Sequence, residues 1–135
     1  MKRLIVFTFL MVTFCIAEVS AQKTGKLTVN ASYTGIVAGY DHVNKNQLYV
    51  DGVLVAESEP GLQSVPQVMT VSIPRGSHTI RVVNLAQYEG NWEEHTKAND
   101  YSVDATLETT VTIKKRLSVD LVYDIEKEET RFSVK

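Results

Sequence analysis

The sequence predicts an all-β protein: an antiparallel β-sandwich of about seven or eight strands over residues 22–135, preceded by a secretory signal peptide at residues 1–21. Three observations carry this. Apolar and polar residues alternate with a period of two in segment after segment, as in strands with one buried face. Turn-forming residues separate these segments at short spacing. No segment places apolar residues at i, i+3, i+4 and i+7 over three turns, as an amphipathic helix would.

The N-terminus comes first. Lys2 and Arg3 supply a positive start, Leu4 to Ala17 is almost wholly apolar, and Val19-Ser20-Ala21 has the side-chain sizes a signal peptidase reads. The apolar run is short for a bilayer span of about 20 residues and gives way at once to polar sequence. Cys15 is no lipid-attachment site, because Phe14 precedes it and it lies inside the apolar run. Cleavage after Ala21 would leave 114 residues, one domain's worth, with no membrane span. It would be secreted or periplasmic. Of the 14 basic and 16 acidic residues, Lys2, Arg3 and Glu18 leave with the leader, so the mature chain carries a net charge of −3. That balance speaks against a nucleic-acid partner, which would want a basic face. The mature chain also lacks cysteine, so it has no disulfide and no thiolate chemistry. Its core alone must hold it together.

The mature chain reads as strands in series. Leu27, Val29 and Ala31 alternate with polar neighbours; Gly35 to Asn46 then interrupts as a polar stretch with an apolar patch at Ile36-Val37-Ala38. Asp51-Gly52 sits between Leu48-Tyr49-Val50 and Val53-Leu54-Val55, a hairpin whose two turn residues tolerate positive φ. Glu57 to Gln67 is a loop. Met69, Val71 and Ile73, then Pro74-Arg75-Gly76, then Ile80 and Val82 read as a second hairpin. Ala86 to Asp100 breaks the rhythm and reads as a polar loop. Leu107, Val111 and Ile113 follow, then Leu117, Val119, Leu121 and Tyr123 after a Lys114-Lys115-Arg116 turn, and Phe132 with Val134 close the chain.

Two of these pieces, Leu48-Tyr49-Val50-Asp51-Gly52 and Ile73-Pro74-Arg75-Gly76-Ser77-His78-Thr79-Ile80-Arg81-Val82, resemble the small PEGA-type surface domains of bacteria. They cover roughly a third of the mature chain. The Pro-Glu-Gly-Ala run that names those domains is absent; the connecting loop here reads Glu59-Pro60-Gly61-Leu62. The resemblance implies an immunoglobulin-like or PEGA-like sandwich at a bacterial surface or in the periplasm. It implies no activity.

Catalytic and metal chemistry find no signature. His42, His78 and His95 lack ligand spacing, and Glu93-Glu94-His95 on a strand would point alternate ways. Asp41, Asn44 and Asn46 lack the glycine and closing glutamate of a calcium loop. There is no G-x-S-x-G elbow. Acids abound, but a domain this small leaves little room for a paired-carboxylate cleft. No catalytic residue, metal or cofactor is assigned. Asn30-Ala31-Ser32 fits the N-glycosylation pattern, which matters only in a host with that machinery.

The best candidate site is the segment with Tyr88, Trp92, Glu93, Glu94, His95 and Tyr101. It holds the only tryptophan and an excess of acid over base, a combination suited to a sugar or to a basic protein patch and unsuited to an anionic polymer. The leading functional reading is therefore an exported, non-catalytic binding or structural module with a protein or glycan partner at the cell envelope. Two alternatives are a carbohydrate-binding module using the Trp92 loop and a loop-based inhibitor of an exported enzyme.

Overall fold

The computed structural model describes residues 21–135. The signal-peptide expectation for residues 1–21 falls, all but Ala21, outside the described residues. Among the described residues ten strands pack as two sheets, and the all-β sandwich assignment holds. The first sheet has four strands, Glu129–Val134 (β10), Arg116–Asp124 (β9), Thr24–Thr34 (β1) and Gln67–Pro74 (β5), in that spatial order. The second has six: Val53–Glu57 (β3), Val43–Val50 (β2), Gly61–Leu62 (β4), Gly76–Tyr88 (β6), Asn91–Glu94 (β7) and Thr106–Ile113 (β8). Strand β6 is the spine of this sheet. One edge pairs with β2; the other pairs first with β8 and then with β7.

The Asp51-Gly52 hairpin forms as its sequence predicts. Both turn residues have positive φ, 50° and 82°, the requirement of a type I′ turn. Pro74-Arg75-Gly76 differs. It does not close a hairpin, because β5 pairs with β1 in the first sheet while β6 joins the second. The chain crosses between layers there. A second departure is that β1 and β9 run parallel, whereas all other pairs are antiparallel. The strand count also exceeds seven or eight, because β4 and β7 lie in segments that read as loops.

The core is built from the inward residues of both layers. Leu27, Val29, Val119, Leu121 and Ile73 come from the first sheet; Leu48, Ile80, Val82, Val111 and Ile113 come from the second. Phe132 and Val134 do share one face, but β10 is an edge strand and they remain 46% and 45% exposed. At the other end of the sandwich the interior turns polar. Asn44, Asn46, Asn84 and Gln67 are all buried. Asn84 Nδ2 donates to Asn44 Oδ1 (2.7 Å) and Asn46 Oδ1 (3.1 Å), Asn46 Nδ2 donates to Gln67 Oε1 (2.7 Å), and the Tyr123 hydroxyl donates to Asn46 Oδ1 (2.9 Å). Two of these asparagines sit where a ladder changes partner. Asn84 lies between the β8 and β7 pairings of β6, its carbonyl taken by His95 N–H (2.9 Å). Asn46 stands between the β4 and β3 pairings of β2, its carbonyl taken by Ser58 N–H (2.9 Å). The network thus holds the backbone where the regular ladders are interrupted, and it supports the site above it.

Candidate functional site

The stretch from Ala86 to Asp100 is largely structured, not a loop. Strands β6 and β7 form a hairpin that pairs Leu85 with Glu94, Ala86 with Glu93, Gln87 with Trp92 and Tyr88 with Asn91. Glu89 (φ 49°) and Gly90 (φ 79°) form its turn, with the same pattern of two positive φ angles as Asp51-Gly52. The chain then makes a single 3₁₀ turn, Lys97–Asn99, which ends on Asp100 in the left-handed region (φ 66°). Asp100 N–H closes the turn on the Lys97 carbonyl, and Asn99 Nδ2 donates to the Glu94 carbonyl (2.7 Å).

Alternation along β7 divides the six candidate residues between two surfaces. Glu93 pairs with buried Ala86 and so points to the inner side, as does His95 beyond it. Trp92 and Glu94 point to the outer face of the six-stranded sheet. There the Lys45 ammonium lies 4.5 Å from the centroid of the half-buried Trp92 ring, and Glu94 pairs with Arg81 at 3.5 Å. Trp92 therefore neither caps the inter-sheet core nor faces the cavity described next.

On the inner side, Tyr88, Glu93, His95 and Tyr101 line a pocket of about 810 Å³. They are joined by Tyr40 from the 35–42 segment, Gln63 just past β4, and Asp100. Hydrogen bonds tie the 35–42 segment to Gln63: Gln63 N–H donates to the His42 carbonyl (3.0 Å), and the Asp41 carboxylate accepts from Ser64 N–H (3.0 Å) and the Ser64 hydroxyl. Tyr40 and Tyr88 are 65% and 59% exposed, large apolar rings left open at the mouth. Tyr101 is half-buried. Its ring stacks on His95 at 4.1 Å between centroids, and its hydroxyl donates to Glu93 Oε1 (2.7 Å). Aromatic contact continues inward from His95 to Tyr33 (5.3 Å) and on to Tyr123 (4.9 Å), which enters the asparagine network. The pocket wall and the polar interior are therefore one connected structure.

Burial sets the protonation of this stack. His95 is held down to about 4, chiefly by desolvation and secondarily by His42, so the ring is neutral at physiological pH. Gln63 Nε2 lies 3.3 Å from His95 Nδ1 and donates to it in the tautomer that protonates Nε2. Burial also pushes the Tyr101 hydroxyl far up, with the Glu93 hydrogen bond acting in the same direction. These groups position one another. Among the described residues no cluster of three or more His, Cys, Asp or Glu could hold a metal.

Sequence reasoning missed Tyr40 and Gln63. Tyr40 lies in the irregular Gly35–Asn46 stretch, whose sequence has neither strand alternation nor a ligand pattern, and Gln63 in a loop without pattern. A visible clue was an exposed-type segment carrying large apolar residues at Val37 and Tyr40.

No family model matches the chain, and no curated protein matches it. Solved structures do. One described as a Gram-negative toxin shares 10% identity at a TM-score of 0.38, with 84% of this chain covering 23% of that one. The human-specific toxin intermedilysin shares 14% at 0.38, covering 84% and 23%. A non-hemolytic pneumolysin from Streptococcus pneumoniae shares 11% at 0.37, covering 84% and 24%. The chain spans about a quarter of the length of these structures. At such TM-scores the likeness carries no functional argument. Among the described residues no helix is long and apolar enough to cross a membrane.

Proposed function

We propose that this chain is an exported, non-catalytic β-sandwich module of the cell envelope or extracellular space, and that its inner-side pocket takes a sugar unit of an envelope glycan. The observation that carries this reading is the pocket itself: three tyrosines, two of them open to solvent, around a concave space of about 810 Å³. Tyrosine offers a flat apolar face for a pyranose ring and a hydroxyl at its rim. The carboxylates of Glu93 and Asp100 and the amides of Gln63 and Asn99 supply planar hydrogen-bonding groups beside them. A few polar groups among aromatic walls are the usual make-up of a small-ligand site. A protein partner would be expected to meet a flatter surface. The charged start and apolar run of residues 1–21, together with the PEGA resemblance, support the exported setting.

Calorimetric titration of the mature chain with neutral oligosaccharides tests the reading. Binding is expected, and Tyr88→Ala should weaken it at least tenfold, about 1.4 kcal/mol. The melting temperature should hold within a few degrees, because Tyr88 is mostly exposed. If no oligosaccharide binds, the glycan reading fails.

A further inference from the structure

The pocket's polar groups are unevenly matched. Glu93 and Asp100 both line it, and neither takes part in an ion pair among the described residues. Its lining contains no lysine or arginine. Nearby cations are engaged elsewhere: Lys45 and Arg81 lie on the outer face, and Lys97 reaches Glu128 at 3.7 Å. Gln63 adds an independent observation. It is 98% buried and lines the pocket, its Nε2 is directed to His95, and its Oε1 has no hydrogen-bond partner. Gln63 Oε1 is the sole buried side-chain polar atom of the described residues left in that state, beside a network where Asn44, Asn46, Asn84 and Gln67 are all satisfied. An unmet buried acceptor is destabilising unless something donates to it. Two unpaired carboxylates and an unmet acceptor, bordered by tyrosine faces, together ask for a positively charged hydrogen-bond donor.

From this we infer that the pocket selects a sugar bearing a free, protonated amine over its neutral, N-acylated counterpart. The inference rests on the glycan reading above and narrows it. An ammonium supplies three donors. It also gains from the electron-rich faces of Tyr40, Tyr88 and Tyr101 in a way that a neutral amide does not. The two carboxylates repel uronic acids and other anionic sugars.

The test compares two ligands of equal length on the mature chain at pH 6 and low salt: a glucosamine trimer and an N-acetylglucosamine trimer. The free-amine trimer should bind at least tenfold more tightly, with the margin shrinking as salt is added. Glu93→Gln keeps an acceptor for the Tyr101 hydroxyl and removes the charge. Asp100→Asn keeps a residue type tolerant of the left-handed backbone and does the same. Each variant should cut the preference for the free-amine trimer several-fold; an unchanged preference in both variants would overturn the inference. Equal or tighter binding of the N-acetylated trimer would overturn the inference and leave the glycan reading standing. Failure of both trimers while another neutral oligosaccharide binds would overturn the inference alone; failure of every oligosaccharide would remove the glycan reading with it. A lysine tripeptide that outbinds the glucosamine trimer would overturn the assignment to a sugar.

Discussion

Gly52 and His95 show how much single residues decide here. Gly52 sits at φ 82° with open space where a Cβ would project, so a side chain there meets backbone strain without a clash. Gly52→Val should cost roughly 1 kcal/mol or more, read as a lower urea midpoint with an unchanged slope. His95 makes a prediction in pH. Its ring is depressed to about 4 in the folded protein, while the unfolded chain takes up its proton near 6.5. The unfolded state therefore binds more protons between those values. The contribution of His95 is complete above pH 6.5 and is lost as pH falls toward 4. By pH 5 the loss amounts to about 2 kcal/mol. His78 acts in the opposite sense, because its hydrogen bond to Asp51 raises it. Comparison with His95→Gln cancels that term. Urea melts at pH 7.5 and pH 5 should show the wild type losing stability relative to the variant. Parallel pH profiles would mean that His95 is not buried neutral.

Among the elements, legibility followed whether the inward residues were apolar. Strands β1, β5, β8 and β9 alternate cleanly in sequence and are strands in the structure. The first half of β2 was hidden because its inward residues are Asn44 and Asn46, which invert the usual code because both are satisfied inside by the amide of Asn84. Strand β7 was hidden because its turn is Glu89-Gly90, not Asn-Gly or Asp-Gly, and because the inward Glu93 and the His95 that follows the strand are polar. Which strands pair, and the crossing at Arg75, depend on contacts between distant segments that periodicity does not encode. The β7 register also changes the expectation for the only tryptophan. Trp92→Ala should cost about 1–2 kcal/mol through the lost Lys45 contact and partial burial. Ligand binding should stay within twofold, and Trp92 emission should change little when the pocket fills. A tenfold loss of binding would return the site to the outer face.

Across the whole molecule, the sandwich is asymmetric. One end is an apolar core that supplies stability. The other is a network of buried amides and tyrosine hydroxyls that fixes the geometry of a pocket. Sequence located one wall of that pocket, at Tyr88, Glu93, His95 and Tyr101, because acidic and aromatic residues cluster there in one stretch. The opposite wall comes from the 35–42 segment and Gln63, joined to it only by folding.

The central claim is that ligand enters between these walls, and backbone amide chemical-shift mapping on the isotope-labelled mature chain tests it most directly. Titrated with a glucosamine trimer, the amides of Val37 to His42, Gln63, Tyr88, Glu93 and Asn99 to Ser102 should shift together. Those of Lys45, Tyr49, Arg81 and Glu108 on the outer face should stay still. Shifts confined to the outer face, with the pocket amides unmoved, would contradict the account.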